Sequence, residues 1–216
     1  MKLLGIDDAG RGPVIGPMVL AGILIDKKEE DTLKDLGVKD SKLLLPTKRN
    51  QIGEKLKDFK YHIEITQPIE IDESPNLNHL EAIKMAMIIN KLTKDETEKT
   101  KVIIDCPSVN IKSWQEFLEK LIEKKQNLEI LCEHKADLNH VVVSAASILA
   151  KEKREKEMAE LREKIKIDLG SGYPGDPKTK EFLEKSWDNN THKEIIRHSW
   201  QTVKKLKKQR AQKKLF

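Results

Sequence analysis

Apolar positions along the chain follow two rhythms. Leu3 to Ile6 is a short continuous apolar run, and Met18 to Ile25 is a longer one. Runs of this length read as buried strands. Between them, Ala9 to Pro17 holds three glycines and two prolines, which reads as a loop with special backbone demands. The first two strands then run antiparallel. Tyr61, Ile63 and Ile65 alternate with polar residues between Lys60 and Thr66, the period of a third strand. Val102–Ile104 and Leu128–Leu131 are two more short strands, each preceded by a charged, helix-like segment.

The helical rhythm is easier to follow. Pro46 to Leu56 opens on Pro-Thr, a plausible cap region. Asn78 to Leu92 places Leu80, Ile83, Met87 and Ile88 on one face, and Ile111 to Lys124 groups Trp114, Phe117, Leu118, Leu121 and Ile122. One long helix is predicted from Leu138 to about Ile167, apolar at its start and charged toward its end. A rigid loop covers 170–177, followed by helices at about Lys178–Trp187 and His192–Gln209. There is no internal repeat. Strands first, then alternation, then helices alone predict a mixed α/β sheet with a helical C-terminal part.

Composition narrows the class. A chain of 216 residues with 38% hydrophobic and 36% charged residues fits a globular domain with a modest appendage. No apolar run approaches the roughly 18 residues that span a bilayer, and the start carries no signal-peptide pattern, so a cytoplasmic protein without a membrane role is expected. Cys106 and Cys132 leave a disulfide or two buried thiols open, with the thiols favoured by a reducing compartment. Their spacing does not suit zinc. The net charge is +5, yet Lys204 to Lys214 alone carries seven Lys or Arg and no acid, leaving the rest at about −2. That basic stretch is either a solvated helix face or a phosphate-facing patch.

Four aspartates stand where chemistry often gathers. Asp7 and Asp8 end the first strand, Asp105 ends the fourth, and Asp137 follows the fifth. Singly, each has a structural reading: Asp137 as a helix N-cap, Asp105 as a turn residue, Asp8 as a solvated carboxylate. Ligands of α/β sheets gather beyond the carboxyl ends of strands. If strands one, four and five are parallel neighbours, the four carboxylates converge. Converging carboxylates repel unless cations bind, and an all-oxygen set suits Mg²⁺ or Mn²⁺.

At this point the sequence resembles ribonuclease HII, the type 2 ribonuclease H. The likeness rests on Asp7-Asp8-Ala9-Gly10-Arg11-Gly12-Pro13-Val14-Ile15-Gly16-Pro17, Val38-Lys39-Asp40-Ser41-Lys42, Glu133-His134-Lys135-Ala136-Asp137, Ser144 to Lys151, and Gly170-Ser171-Gly172-Tyr173-Pro174 with Asp176-Pro177. Arg197-His198-Ser199-Trp200 fits the C-terminal helix of archaeal and eukaryotic members. The resemblance implies a ribonuclease H-like fold: a five-stranded mixed sheet flanked by helices, with a helical C-terminal extension. On that reading residues 1–167 form the catalytic domain and 168–216 a helical substrate-binding extension. It implies an endonuclease cutting RNA–DNA hybrids and single ribonucleotides embedded in DNA, leaving a 3′-hydroxyl and a 5′-phosphate. Two divalent ions, Mg²⁺ or Mn²⁺, would be held by Asp7, Asp8, Asp105 and Asp137. One departure stands out: Asp8 occupies the position where the family has Glu.

The same resemblance assigns 2′-hydroxyl contact to Gly10-Arg11-Gly12. It gives Tyr173 the sugar after the ribonucleotide, at the RNA-to-DNA junction. Read in isolation, the loop could be a tight turn and the tyrosine a packing residue. Lys42, Lys151 and Arg154 are candidate phosphate contacts, and Asn78 a candidate hydrogen bond to the nucleic-acid backbone. Long basic side chains on helices are usually just solvated. His134, beside Asp137, is placed to tune the site. Gln212 to Phe216 is a truncated likeness of a sliding-clamp-docking tail, and archaeal relatives usually act as monomers. Two other classes stay open: a junction-cutting nuclease on the same fold, and a hybrid-binding protein silenced by Asp8.

Overall fold

A strand buried on both faces has no reason to alternate, and β2 shows this directly. In the computed structural model, which describes residues 1–38 and 45–213, β1 spans Lys2–Ala9 and β2 Met18–Asp26, and every residue of β2 but the last is buried. They pair antiparallel from Lys2 opposite Asp26 to Ala9 opposite Val19. The short helices α1 (Glu30–Asp35) and α2 (Pro46–Leu56) follow, then β3 (Lys60–Thr66), α3 (Pro68–Glu73) and α4 (Leu77–Thr93). Next come β4 (Thr100–Asp105), α5 (Ile111–Lys120) and β5 (Leu128–Glu133). The helices α6 (Ala136–Asn139), α7 (Val141–Ile165), α8 (Pro177–Ser186) and α9 (Gln201–Lys213) complete the described residues.

The chain divides into two compact units. The first takes residues 1–9, 19–65 and 76–153. Its five-stranded sheet has the order β3-β2-β1-β4-β5. β1 and β4 are parallel, as are β4 and β5, so the mixed sheet is as expected. The apolar start of α7, Val142 to Ala150, packs on the strands as the centre of the core. Gly5 lets this happen: a Cβ there would lie 2.4 Å from the carbonyl carbon and oxygen of Val142.

Helix α4 corrects the predicted face. Ile83 and Met87 are exposed (41% and 45%), whereas Ala82, Met85, Ala86, Ile88 and Ile89 are buried. Small residues at 82 and 86 allow a close approach to the sheet, and Gly22 of β2 sits against Ile88 for the same reason. A pattern weighted to large side chains therefore selects a neighbouring stripe. Helix α5 also ends earlier than expected, at Lys120, with Leu121 and Ile122 in a turn bonded back to Leu118 and Glu119.

The second unit takes residues 10–18, 66–75 and 154–216, so it includes the whole segment from residue 168 onward. Val14, Ile15, Met158, Leu169, Phe182, Leu183, Ile196 and Val203 form its core. The single helix predicted over His192–Gln209 is replaced by a 3-10 turn at Asn190–Ile195, an extended stretch and then α9. The backbone donors of this stretch are used elsewhere. Ile15 and Ile196 form an antiparallel bridge, and the Arg197 N–H bonds Val14 O at 2.9 Å. Asp72 of α3 accepts the N–H groups of His198 and Ser199 at 2.6 and 2.8 Å. Arg197 to Trp200 therefore precede the C-terminal helix instead of belonging to it. Among the described residues no helix is long and apolar enough to cross a membrane.

Candidate active site

The parallel pairing of β1, β4 and β5 sets their C-terminal ends side by side. The β1–β4 register runs to Ile6 opposite Ile104, so Asp7 and Asp105 are the next residues on each strand. Asp105 in turn pairs with Glu133 on β5. Asp7 is 5% exposed. Its Oδ1 accepts the N–H of Asp8 at 2.7 Å. Burial, then the charges of Asp8 and Asp105, push the Asp7 carboxyl well above the ordinary carboxylate range. The nearby Ser147 hydroxyl works the other way, although it closes no hydrogen bond of ordinary geometry.

Asp8 is only partly buried and sits opposite Leu20. Successive strand residues face opposite sides of a sheet, so Asp7 and Asp8 leave β1 on opposite faces. Asp105 Oδ1 accepts the N–H of Ala136 at 3.3 Å, which ties the β4 end to the segment carrying Asp137. Asp137 is 4% exposed. It lies inside α6 and is not its N-cap: that position is Lys135, in the left-handed region at φ 58°. His140 has extended backbone, so the long helix expected from Leu138 is broken into α6 and α7. The Ser144 hydroxyl, on the first turn of α7, donates to Asp137 O at 2.5 Å and fixes this corner.

The four aspartates thus fall into one unit, at or just beyond the C-terminal ends of its parallel strands, but they do not form a closed cage. Among the described residues, no group of three or more His, Cys, Asp or Glu side chains is set to hold a metal ion as it stands. Asp8 and Asp105 are the carboxylates that press on Asp7, and Asp137 is not among its principal perturbers. A buried carboxyl pressed by two others, in an all-oxygen donor set, suits a hard divalent cation. His134 Nδ1 meets Cys106 O at 3.1 Å, so it supports the β4 end. Cys106 and Cys132 are both buried free thiols, and burial holds Cys132 up at about 12.

The remaining predicted residues divide between the units. In the first, Lys151 lies partly buried on α7. Asn78 lies in the first turn of α4 and does not open it: Asn76 is the N-cap, accepting the N–H groups of Asn78 and His79. Asn78 O accepts the Trp114 indole N–H at 2.8 Å, a packing contact. Lys42 lies outside the described residues.

In the second unit, Gly10 has φ +86°, and a Cβ there would meet Arg154 Nε at 2.2 Å. Arg154 is 9% exposed, lies over the Tyr173 ring at 5.7 Å, and has Nε and Nη2 without hydrogen-bond partners within the described residues. Tyr173 is 46% exposed, and a Cβ on Gly12 would touch its ring at 3.5 Å. Nothing in the sequence pointed to Asp72, whose partners lie more than a hundred residues away, and Ser144 and Ser147 stood out only within a matched block. It noted Arg197 and Trp200 only as part of a block.

A five-stranded mixed sheet with carboxylates at the ends of its parallel strands defines a ribonuclease H-like protein. The crystal structure of the ribonuclease H2 from Pyrococcus horikoshii OT3 superposes with a TM-score of 0.87 at 38% identity, covering 97% of this chain and 98% of that one. The RNase HII in a PCNA:RNase HII complex from Archaeoglobus fulgidus gives 0.80 at 36%, over 93% and 96% of the two chains. Ribonuclease HII of Pyrococcus furiosus is 40% identical over 210 residues, 95% of this chain and 91% of the relative. The sequence pattern of the ribonuclease HII family matches residues 4–203, and the chain belongs to that family. It is a ribonuclease H, a hydrolytic endonuclease acting on RNA–DNA hybrids.

Proposed function

We propose that this ribonuclease H cuts 5′ to ribonucleotides, including single ones embedded in duplex DNA, leaving a 3′-hydroxyl and a 5′-phosphate. Asp7, Asp8, Asp105 and Asp137 hold two divalent ions, Mg²⁺ or Mn²⁺. The observation that carries this reading is the buried Asp7 carboxyl, held protonation-prone by Asp8 and Asp105. When bound, such ions supply an activated water and stabilise the leaving oxygen. The protein's own part is to fix the donors. The Ala136 N–H orients Asp105, Ser144 fixes the Asp137 backbone, and Asp7 is held buried with Ser147 of α7 nearby. Asp7, Asp8, Asp105 and Asp137 would supply the oxygen donors, and a divalent cation would offset their mutual repulsion.

Gly10, Arg11 and Gly12 read the 2′-hydroxyl through their backbone, the group that separates RNA from DNA. Tyr173, with its exposed ring, packs on the neighbouring sugar. Arg154 is a phosphate contact, supported by its buried guanidinium with two unbonded nitrogens. Lys42, Lys151 and Asn78 remain proposed backbone contacts. Residues 1–167 carry the chemistry and 168–216 the substrate-binding extension. The enzyme works as a monomer in the cytoplasm. Clamp docking through the tail is part of the reading. It is supported by the Archaeoglobus complex with PCNA, although Leu215 and Phe216 lie outside the described residues.

The test is a duplex with one embedded ribonucleotide, incubated with Mg²⁺ or Mn²⁺. Cleavage 5′ to the ribonucleotide by the wild type, lost in Asp7→Asn, is the expected result. Cutting at DNA junctions regardless of ribose, or tight binding without cutting, would overturn it.

A further inference from the structure

Arg197 is wholly buried, a costly place for a guanidinium. Its donors go to the loop between β1 and β2. Nη2 donates to Gly10 O at 2.7 Å, Nη1 to Arg11 O at 2.9 Å and Nε to Gly16 O at 3.0 Å. Trp200 stacks on the same guanidinium at 4.9 Å and donates its indole N–H to Gly12 O at 3.1 Å. Four carbonyls of one short loop therefore turn toward two side chains from a single turn near the C-terminus.

Peptide planarity gives this a consequence. In a trans peptide the N–H points opposite to the C=O of the preceding residue, and the described residues contain no cis bond. Gly12 and Gly16 both precede proline, so those two peptides carry no N–H. The Gly10–Arg11 and Arg11–Gly12 peptides do, and their N–H groups face away from Arg197. A cation on the carbonyl side also polarises each peptide, which makes its N–H a stronger donor. The turn itself is anchored: Asp72 accepts three bonds from His198 and Ser199, at 2.6 to 2.8 Å.

We propose that Arg197, backed by Trp200, is a positioning residue for ribose recognition, presenting the Arg11 and Gly12 N–H groups as an oriented donor pair. It acts through the loop and does not touch the substrate. This rests on the reading that the loop contacts the 2′-hydroxyl. Arg197→Lys keeps the charge but cannot span three carbonyls with a planar fork, and Arg197→Gln removes the charge as well. Trp200→Phe keeps an aromatic ring and removes one hydrogen bond.

The experiment compares Kd for a duplex with one embedded ribonucleotide and for the all-deoxy duplex, with Ca²⁺ in place of Mg²⁺, alongside Tm. The ribo-over-deoxy ratio is expected to fall by about tenfold or more in Arg197→Gln, less in Arg197→Lys, and by about threefold in Trp200→Phe. Affinity for the all-deoxy duplex should stay near that of the wild type. A folded Arg197→Gln, or Trp200→Phe should the former not fold, that keeps the wild-type ratio overturns the proposal. A wild type that shows no ribose preference overturns the loop reading, and this inference with it.

Discussion

Asp7 brings chemistry and stability into conflict at a single side chain. Its carboxyl is buried beside Asp8 and Asp105, and its charged form is disfavoured there. Asp7→Asn should relieve that repulsion and raise the Tm of the metal-free protein by about 2–4 °C. The same change should reduce cleavage to below about 1% of wild type. A parallel thermal melt and hybrid-cleavage assay checks both, and a variant that is less stable yet active would refute the arrangement. Asp8 is the second test at this scale. The strand turns it away from Asp7's side, and it is one methylene shorter than the family's Glu. Asp8→Glu should therefore raise activity or shift the Mg²⁺-to-Mn²⁺ preference. Equal rates in both metals would show that the short carboxylate already reaches. The placement of Asp7, Asp8 and Asp105 on strands was legible because each closely follows an apolar run, whereas Asp137 lies inside α6, past a polar turn. The role of Arg197 was not legible, because nothing local in Arg-His-Ser-Trp says that its partners lie near residue 10.

Two contacts show how elements are held to their task. Helix α7 lies so close on β1 that Gly5 has no room for a side chain, the nearest atoms being backbone of Val142 and Val143. Gly5→Ala should cost about 1–3 kcal/mol or more by overpacking, read from denaturant unfolding. It should also lower activity in the folded fraction, because α6 and Asp137 immediately precede α7. Helix α8 begins at Asp176, whose side chain accepts the N–H groups of Ser171, Lys178 and Thr179. These bonds hold its carboxyl down at about 2. A depressed folded value means the contribution is present above the ordinary 3.8 and is lost as pH falls through about 2. Asp176→Ala should lower Tm by a few degrees at neutral pH, and the two melting profiles should converge in strong acid. Strand positions followed from the apolar runs almost to the residue, as at β3. The breaks at His140 and at Arg197 did not: around Arg197 the backbone donors find partners outside the helix, and at the His140 corner Asp137 O is taken by the Ser144 hydroxyl. On α4 it was the alanines, silent in a pattern of large residues, that chose the buried face.

For the whole molecule, charge is distributed so that affinity and discrimination can be separated. The C-terminal ends of the parallel strands gather acids, whereas α9 presents Lys204, Lys205, Lys207 and Lys208 as exposed residues, with Val203 the one buried residue among those described on that helix. Arg210 is already engaged with Asp188 and over the Trp187 ring. A solvated face and a phosphate-facing patch make different demands on binding. Salt dependence separates them. Each phosphate neutralised on a duplex contributes about −0.9 to the slope of log K against log salt. If α9 faces nucleic acid, replacing the four lysines by Gln should flatten that slope by about 2 or more and weaken hybrid and all-DNA duplexes alike. Arg197 variants should do the reverse, changing the preference for ribose and leaving the slope alone. An unchanged slope in the lysine variant would assign α9 to solvent, and the electrostatic part of binding would then have to come from the basic residues of α7 and the glycine loop.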